Sequence, residues 1–205
     1  TGAKAFAHDI EVKNDDGVTI YYVWTNNNTE LAVSYLGLSG SDYSNEYAGI
    51  VVFPKSVKYQ GITYPVTSIA NLAFSGCSRL TSVTIPNSVT SLGSSAFSGC
   101  SGLTTVNFLC SPTSIGSGIF DNCNKINEAV FDCETITSIM SGKTSLGKIT
   151  IKGSVKNIES SAFSGCSGLT SVIIPNSVTN IGSSAFQDCS SLTSVTIPNS
   201  VTSIG

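Results

Sequence analysis

The sequence predicts a repeat solenoid: a parallel β ladder with short helical or 3-10 turns, behind an antiparallel N-terminal β cap. Three observations predict it. The segment Ala96-Phe97-Ser98-Gly99-Cys100 returns as Ala162-Phe163-Ser164-Gly165-Cys166. Leucine-type anchors keep a period: Leu80, Leu103 and Ile126 are spaced by 23, Ile126 and Leu146 by 20, and Leu146, Leu169 and Leu192 again by 23. Composition shifts near residue 65, with all seven tyrosines and the single tryptophan, Trp24, before it and all seven cysteines after it. A fixed period of this length marks a stacked array, in which no unit buries its apolar face alone.

Residues 1–65 are read as the cap. Ile10–Val12, Val18–Trp24 and Glu30–Leu36 have strand character, and Asn14-Asp15-Asp16-Gly17 and Asn26-Asn27-Asn28 between them are good turn chemistry. A polar loop, Gly37–Gly49, leads to a further strand at Ile50–Phe53. The cap covers the first edge of the ladder. Its aromatics are assigned to its own core, with a ligand platform as the alternative.

Residues 66–205 are read as the solenoid, and one unit shows why. Val83 and Ile85 alternate with small polar residues, the period-2 signal of a half-buried strand. Pro86 cannot donate to a ladder and closes the strand. Val89 and Leu92 form a second apolar stretch, Gly93 is expected to turn the chain at positive φ, and Ser94–Phe97 to form one helical or 3-10 turn with Phe97 as an inward plug. The pattern places strands at Thr81–Ile85, Thr104–Phe108, Asn127–Phe131, Gly147–Ile151, Thr170–Ile174 and Thr193–Ile197. It buries Phe74, Phe97, Phe120, Phe163 and Phe186.

This 23-residue motif, with Tyr59-Gln60-Gly61-Ile62-Thr63-Tyr64-Pro65 as a hairpin leading into it, resembles the BspA-like class of leucine-rich repeats over residues 66–205. The resemblance implies a solenoid of leucine-rich-repeat type. It also implies a secreted or cell-surface bacterial protein linked to adhesion to host or neighbouring cells, and it brings no catalytic residues with it.

The repeats also disagree with one another. The unit at 126–145 is three residues short and has Met140-Ser141-Gly142-Lys143 where others carry Ala-Phe, so looser packing or a bend is expected there. Equal positions of stacked strands lie about 4.8 Å apart. Glu128 should therefore lie beside Lys148, and Asp132 beside Lys152, as ion pairs rather than a recognition patch. Cys77, Cys100, Cys123, Cys166 and Cys189 share one position. Parallel side chains do not converge as a disulfide requires, so a column of buried thiols is expected. For Cys110 and Cys133, which stand at a turn, a bridge stays open.

Function classes narrow by exclusion. Net charge is −3 and only 11% of residues are charged, which disfavours nucleic acid as a partner. The single histidine, His8, is remote in sequence and read as a surface or cap residue, and no Cys-x-x-Cys occurs, so neither catalysis, a metal nor a cofactor is expected. The leading reading is a non-catalytic binding or adhesion module for host or neighbouring-cell surface proteins or glycans. Its candidate ligand surface is Glu128, Val130, Lys148, Lys152 and Ile173, where charge and apolar surface interrupt a Ser/Thr face. The alternative is a structural spacer or surface-layer component without a specific ligand. The sequence stops at Gly205 before another plug. Either continuation of the array or a homodimer through its C-terminal end is expected.

Overall fold

The computed structural model describes residues 8–35 and 47–205. The chain forms two compact units, Thr1–Leu103 with Pro112–Cys123, and Thr104–Ser111 with Asn124–Gly205. The loop expected from Gly37 lies largely outside the described residues.

In the first unit, β1 (Ile10–Lys13), β2 (Thr19–Thr25) and β3 (Glu30–Ser34) form an antiparallel meander. Asn14 makes its first turn, the side-chain oxygen accepting from the backbone N–H groups of Asp16 and Val18. Asn26, Asn27 and Asn28 make the second at positive φ, a region asparagine enters more readily than most residues. Beyond β3 the pairing turns parallel. β4 (Gly49–Val52) runs parallel to β7 (Leu80–Ile85). β5 (Ser56–Tyr59) forms a hairpin with the first half of β6 (Ile62–Ile69), whose second half pairs with β3. The strands before residue 65 thus join the repeat ladder edge to edge. β8 (Ser91–Leu92) pairs with β6, and β10 (Ser114–Ile115) with β8.

The second unit is repeat throughout. β9 (Thr105–Phe108), β11 (Glu128–Phe131) and β13 (Lys148–Ile151) pair in parallel and in register. A second parallel row joins β12 (Thr135–Ile136), β14 (Asn157–Ile158), β16 (Asn180–Ile181) and β18 (Ser203–Ile204). The fifth and sixth expected strands are shorter than anticipated, contracting to β15 (Val172–Ile173) and β17 (Val195–Thr196).

Alternation places one column of side chains inside each ladder. Val106, Ala129 and Ile149 are buried in one row, Phe108, Phe131 and Ile151 in the next. The plugs Phe74, Phe97, Phe120 and Phe163 are buried. Phe186 is only half-buried, since its one aromatic neighbour, Phe163, covers a single face at 5.5 Å.

Three expectations are corrected. The plug segments that carry phenylalanine are not helical. They are successive tight turns, closed by Ser98 N–H to Ser95 O and Cys100 N–H to Phe97 O, and Ser95 at φ +54° breaks any helix. Among the described residues the one 3-10 turn is Ser138–Met140. Gly93 does not sit at positive φ; it is needed because a Cβ there would lie 2.4 Å from the Asn71 backbone nitrogen. The short unit is not without a plug. Met140 is fully buried and takes the place of the phenylalanine, and Cys166 Sγ donates to its carbonyl at 3.2 Å, as Cys100 does to Phe74 O at 3.0 Å.

Candidate binding surface

The outward face of the second unit is set by strand alternation. Glu128 and Val130 point away from the core because Ala129 and Phe131 point into it. Parallel register then puts Lys148 beside Glu128 and Thr150 beside Val130. The Lys148–Ser171 bridge carries the same register one strand further, towards Ile173, which pairs with Thr196. Lys152 follows β13 in the same alternation. Sequence spacing therefore brings all five expected residues onto one face, with Val130 and Ile173 two strands, or about 10 Å, apart.

The charges on this face are mutually satisfied. Lys148 Nζ lies 2.6 Å from Glu128 Oε1, and Lys152 Nζ lies 3.6 Å from Asp132 Oδ2. Asp132 also accepts from the Ser154 hydroxyl at 2.6 Å. The two lysines are thus tethered rather than open to an anionic ligand. Val130 is half-buried between them. Ile173 is the outlier, with 83% of its surface exposed on a Ser/Thr background. Such a side chain gains nothing from the fold, and burial against a partner would remove apolar area from water.

Two features went unread in the sequence. One is an apolar outward pair in the first unit, Ile50 and Val52 of β4, which stand beside Ser82 and Thr84 of β7. The run Ile50–Phe53 reads as a strand, and its continuous apolar character does not say which side faces out. The other is a groove of about 480 Å³ lined by Val12, Tyr22, Phe53 and Val57 among others. Two of its lining residues, Asn14 and Val52, are joined by a hydrogen bond from Asn14 Nδ2 to Val52 O at 3.1 Å, across 38 residues, which no local pattern announces.

The thiols are chemically quiet. All seven cysteines are free and buried, Cys110 and Cys133 included, so the bridge left open between them does not form. Burial pushes Cys133 and Cys166 up to about 11 and Cys110 up to about 12. The neighbouring Cys123 thiol, and then burial, raise Cys100 further. Cys123 and Cys189 donate to Phe97 O and Phe163 O, at 3.0 and 3.1 Å. Cys100, Cys123, Cys166 and Cys189 thus each hydrogen-bond the plug carbonyl of the preceding turn, tying turn to turn. His8 packs against the ring of Tyr21 at 4.8 Å. Among the described residues no three His, Cys, Asp or Glu side chains gather as a metal site, and no helix is long and apolar enough to cross a membrane.

The chain matches a family model, the BspA type leucine rich repeat region, at residues 49–167 and 135–205. The chain belongs to this family. Among solved structures it is similar to a leucine rich cell surface protein from Faecalibacterium prausnitzii. That match has 26% identity and a TM-score of 0.51, and covers 92% of this chain and 54% of the other. It is also similar to the leucine rich repeat protein of T. pallidum, with 27% identity and a TM-score of 0.56 over 86% of this chain and 78% of that one. A leucine-rich repeat protein from Eubacterium ventriosum matches with 26% identity and a TM-score of 0.56, covering 87% and 51%. The chain thus spans about half the length of the first and third of these proteins. No curated protein matches it significantly.

Proposed function

We propose that this BspA-type chain is a non-catalytic binding module, secreted or displayed on a bacterial surface, whose outward ladder face contacts proteins or glycans of other cells. The observation that carries the reading is the exposed Ile173, with half-buried Val130 and two ion-paired lysines around it. The name of the Faecalibacterium protein, a cell surface protein, supports the location. Solenoids offer long surfaces whose repeated contacts add. The face has no Trp, Tyr or Arg anchor of the kind that dominates tight interfaces. Contacts here are therefore weak singly and gain strength by multiplicity.

The test is immobilised extracellular-matrix proteins and a printed glycan array, probed with the chain and with Ile173→Ser. Binding that the substitution reduces by about tenfold, through loss of one buried aliphatic side chain, supports the reading. An array silent for both proteins would favour a spacer that holds other segments away from a surface.

A further inference from the structure

A second site lies in the first unit. The groove of about 480 Å³ falls between the β1–β2 turn and the β4–β5 segment, and its size is in the range of small-molecule sites. Val12, Val52 and Val57 supply apolar wall. Tyr22 also lines it. The residue is 1% exposed, yet its hydroxyl has no hydrogen-bond partner among the described residues. The ring is buried, but the phenol oxygen is not one of the enclosed polar atoms without a partner, so it keeps a small opening to solvent and is free to bond a ligand. Burial alone raises its pKa.

The rim is polar and balanced. Lys13 and Lys58 stand with Asp15 and Asp16, and none of the four is in an ion pair among the described residues. Two positive and two negative groups favour neither an anion nor a cation. They do offer donors and acceptors in number.

Aromatic surface continues from the groove. Tyr22 and Trp24 share one face of β2, and Val57 and Tyr59 share one face of β5, since side chains two apart along a strand point the same way. Tyr64 lies across from Val57 in the hairpin. The Trp24 ring meets Tyr64 at 4.7 Å and Tyr59 at 6.3 Å, both edge to face. All three rings are half-exposed, and the indole N–H and both phenol O–H groups have no partner among the described residues. Apolar ring surface beside unspent polar groups, over a rim without net charge, suits a ligand with C–H faces and many hydroxyls.

We propose that this groove and the Trp24–Tyr59–Tyr64 cluster form a binding site for a neutral saccharide. The sugar's C–H face lies on the rings. Its hydroxyls reach the Tyr22 phenol and the Lys13, Asp15, Asp16 and Lys58 rim.

Trp24 is the only tryptophan of the chain, so its emission reports the site directly. The whole chain is titrated with cellohexaose, laminarihexaose, mannohexaose and chitohexaose, and separately with a gelatin peptide digest. A saturable change of Trp24 emission with at least one hexasaccharide is expected. Tyr22→Phe, which keeps the ring, should weaken that binding by about fivefold, the value of one hydrogen bond. The surface variant Lys58→Ala should weaken it as well, with the circular dichroism of both unchanged. Ile173→Ser should leave it intact, which separates this site from the ladder face. Four silent hexasaccharides, a response to gelatin peptides alone, or binding indifferent to both Tyr22→Phe and Lys58→Ala would each overturn the proposal.

Discussion

The turn that carries Phe97 and the turn that carries Met140 bury a plug at the same place in the repeat with different side chains and different backbones. In the first unit Phe97 lies between Phe74 and Phe120, at 4.9 and 5.2 Å and nearly parallel to both. In the second, Met140 has no ring to stack. There Phe131, an inward strand residue, meets Phe163 edge to face at 5.6 Å and 77°. The Phe97 turn bonds its successor through the Ser95, Phe97 and Gly99 N–H groups, whereas the Met140 turn keeps, among the described residues, only the last of these contacts, through Gly142 N–H. Gly76 N–H reaches Ser98 O at 2.7 Å, and Gly142 N–H reaches Ser164 O at 2.7 Å. The turn is held by peptide groups and the thiol behind it, while the plug has only to fill space. A flexible thioether does this in a unit three residues shorter.

Cavity formation is the harshest way to break that equivalence. Phe97→Ala should destabilise the chain by about 3–5 kcal/mol and Met140→Ala by about 2–5 kcal/mol, read by urea unfolding. If Met140 only fills space, Met140→Phe should overpack its shorter turn at a cost of about 1–3 kcal/mol. A stabilised Met140→Phe would show that the ring stack itself, and not volume, had been missing.

Gly93→Ala sharpens the backbone side of the comparison. Its new Cβ would press on the Asn71 peptide, so a loss of about 1–3 kcal/mol in chemical denaturation is expected from overpacking. Thr137 holds the matching place after Ile136 in the short turn and carries a side chain. Thr137→Gly should not reproduce that loss as a gain of similar size.

Alkaline titration probes the thiols. An unfolded thiol gives up its proton near 9.0, whereas folded Cys133 and Cys166 keep theirs to about 11. Between those values the native state binds more protons, so stability is full below 9 and falls as pH rises to 11. Calorimetric scans should show a falling Tm across that window, and a flat Tm would contradict the burial. Unfolding without reductant should release seven thiols by a colorimetric count.

The smallest effect belongs to the ion pairs. Glu128→Gln should cost under about 1 kcal/mol and vanish in high salt, because the pair is largely exposed and screened.

Much of this was legible in the residues. The pairings of Glu128 with Lys148 and Asp132 with Lys152 followed from the period, since stacking turns a 20-residue spacing into adjacency. The thiol column followed for the same reason. The short turn was misjudged because the missing Ala-Phe was visible while the depth available to Met140 was not. Gly93 was assigned a turn role from its residue type; its real constraint is Asn71, 22 residues earlier. The aromatics of the first 65 residues were assigned together to a core. Packing divides them, burying Tyr22 and Tyr47 and leaving Trp24, Tyr59 and Tyr64 at the surface.

What the sequence determined alone was the repeat, its inward residues and the neighbours each outward residue would meet, because a period repeated along the chain becomes a translation in space. Tertiary structure alone decided what is not periodic. The groove lies where Asn14 bonds Val52, 38 residues away, and the plug place is filled because Met140 fits where a ring is absent. Both depend on contacts between segments that share no pattern, and only the folded chain brings those together.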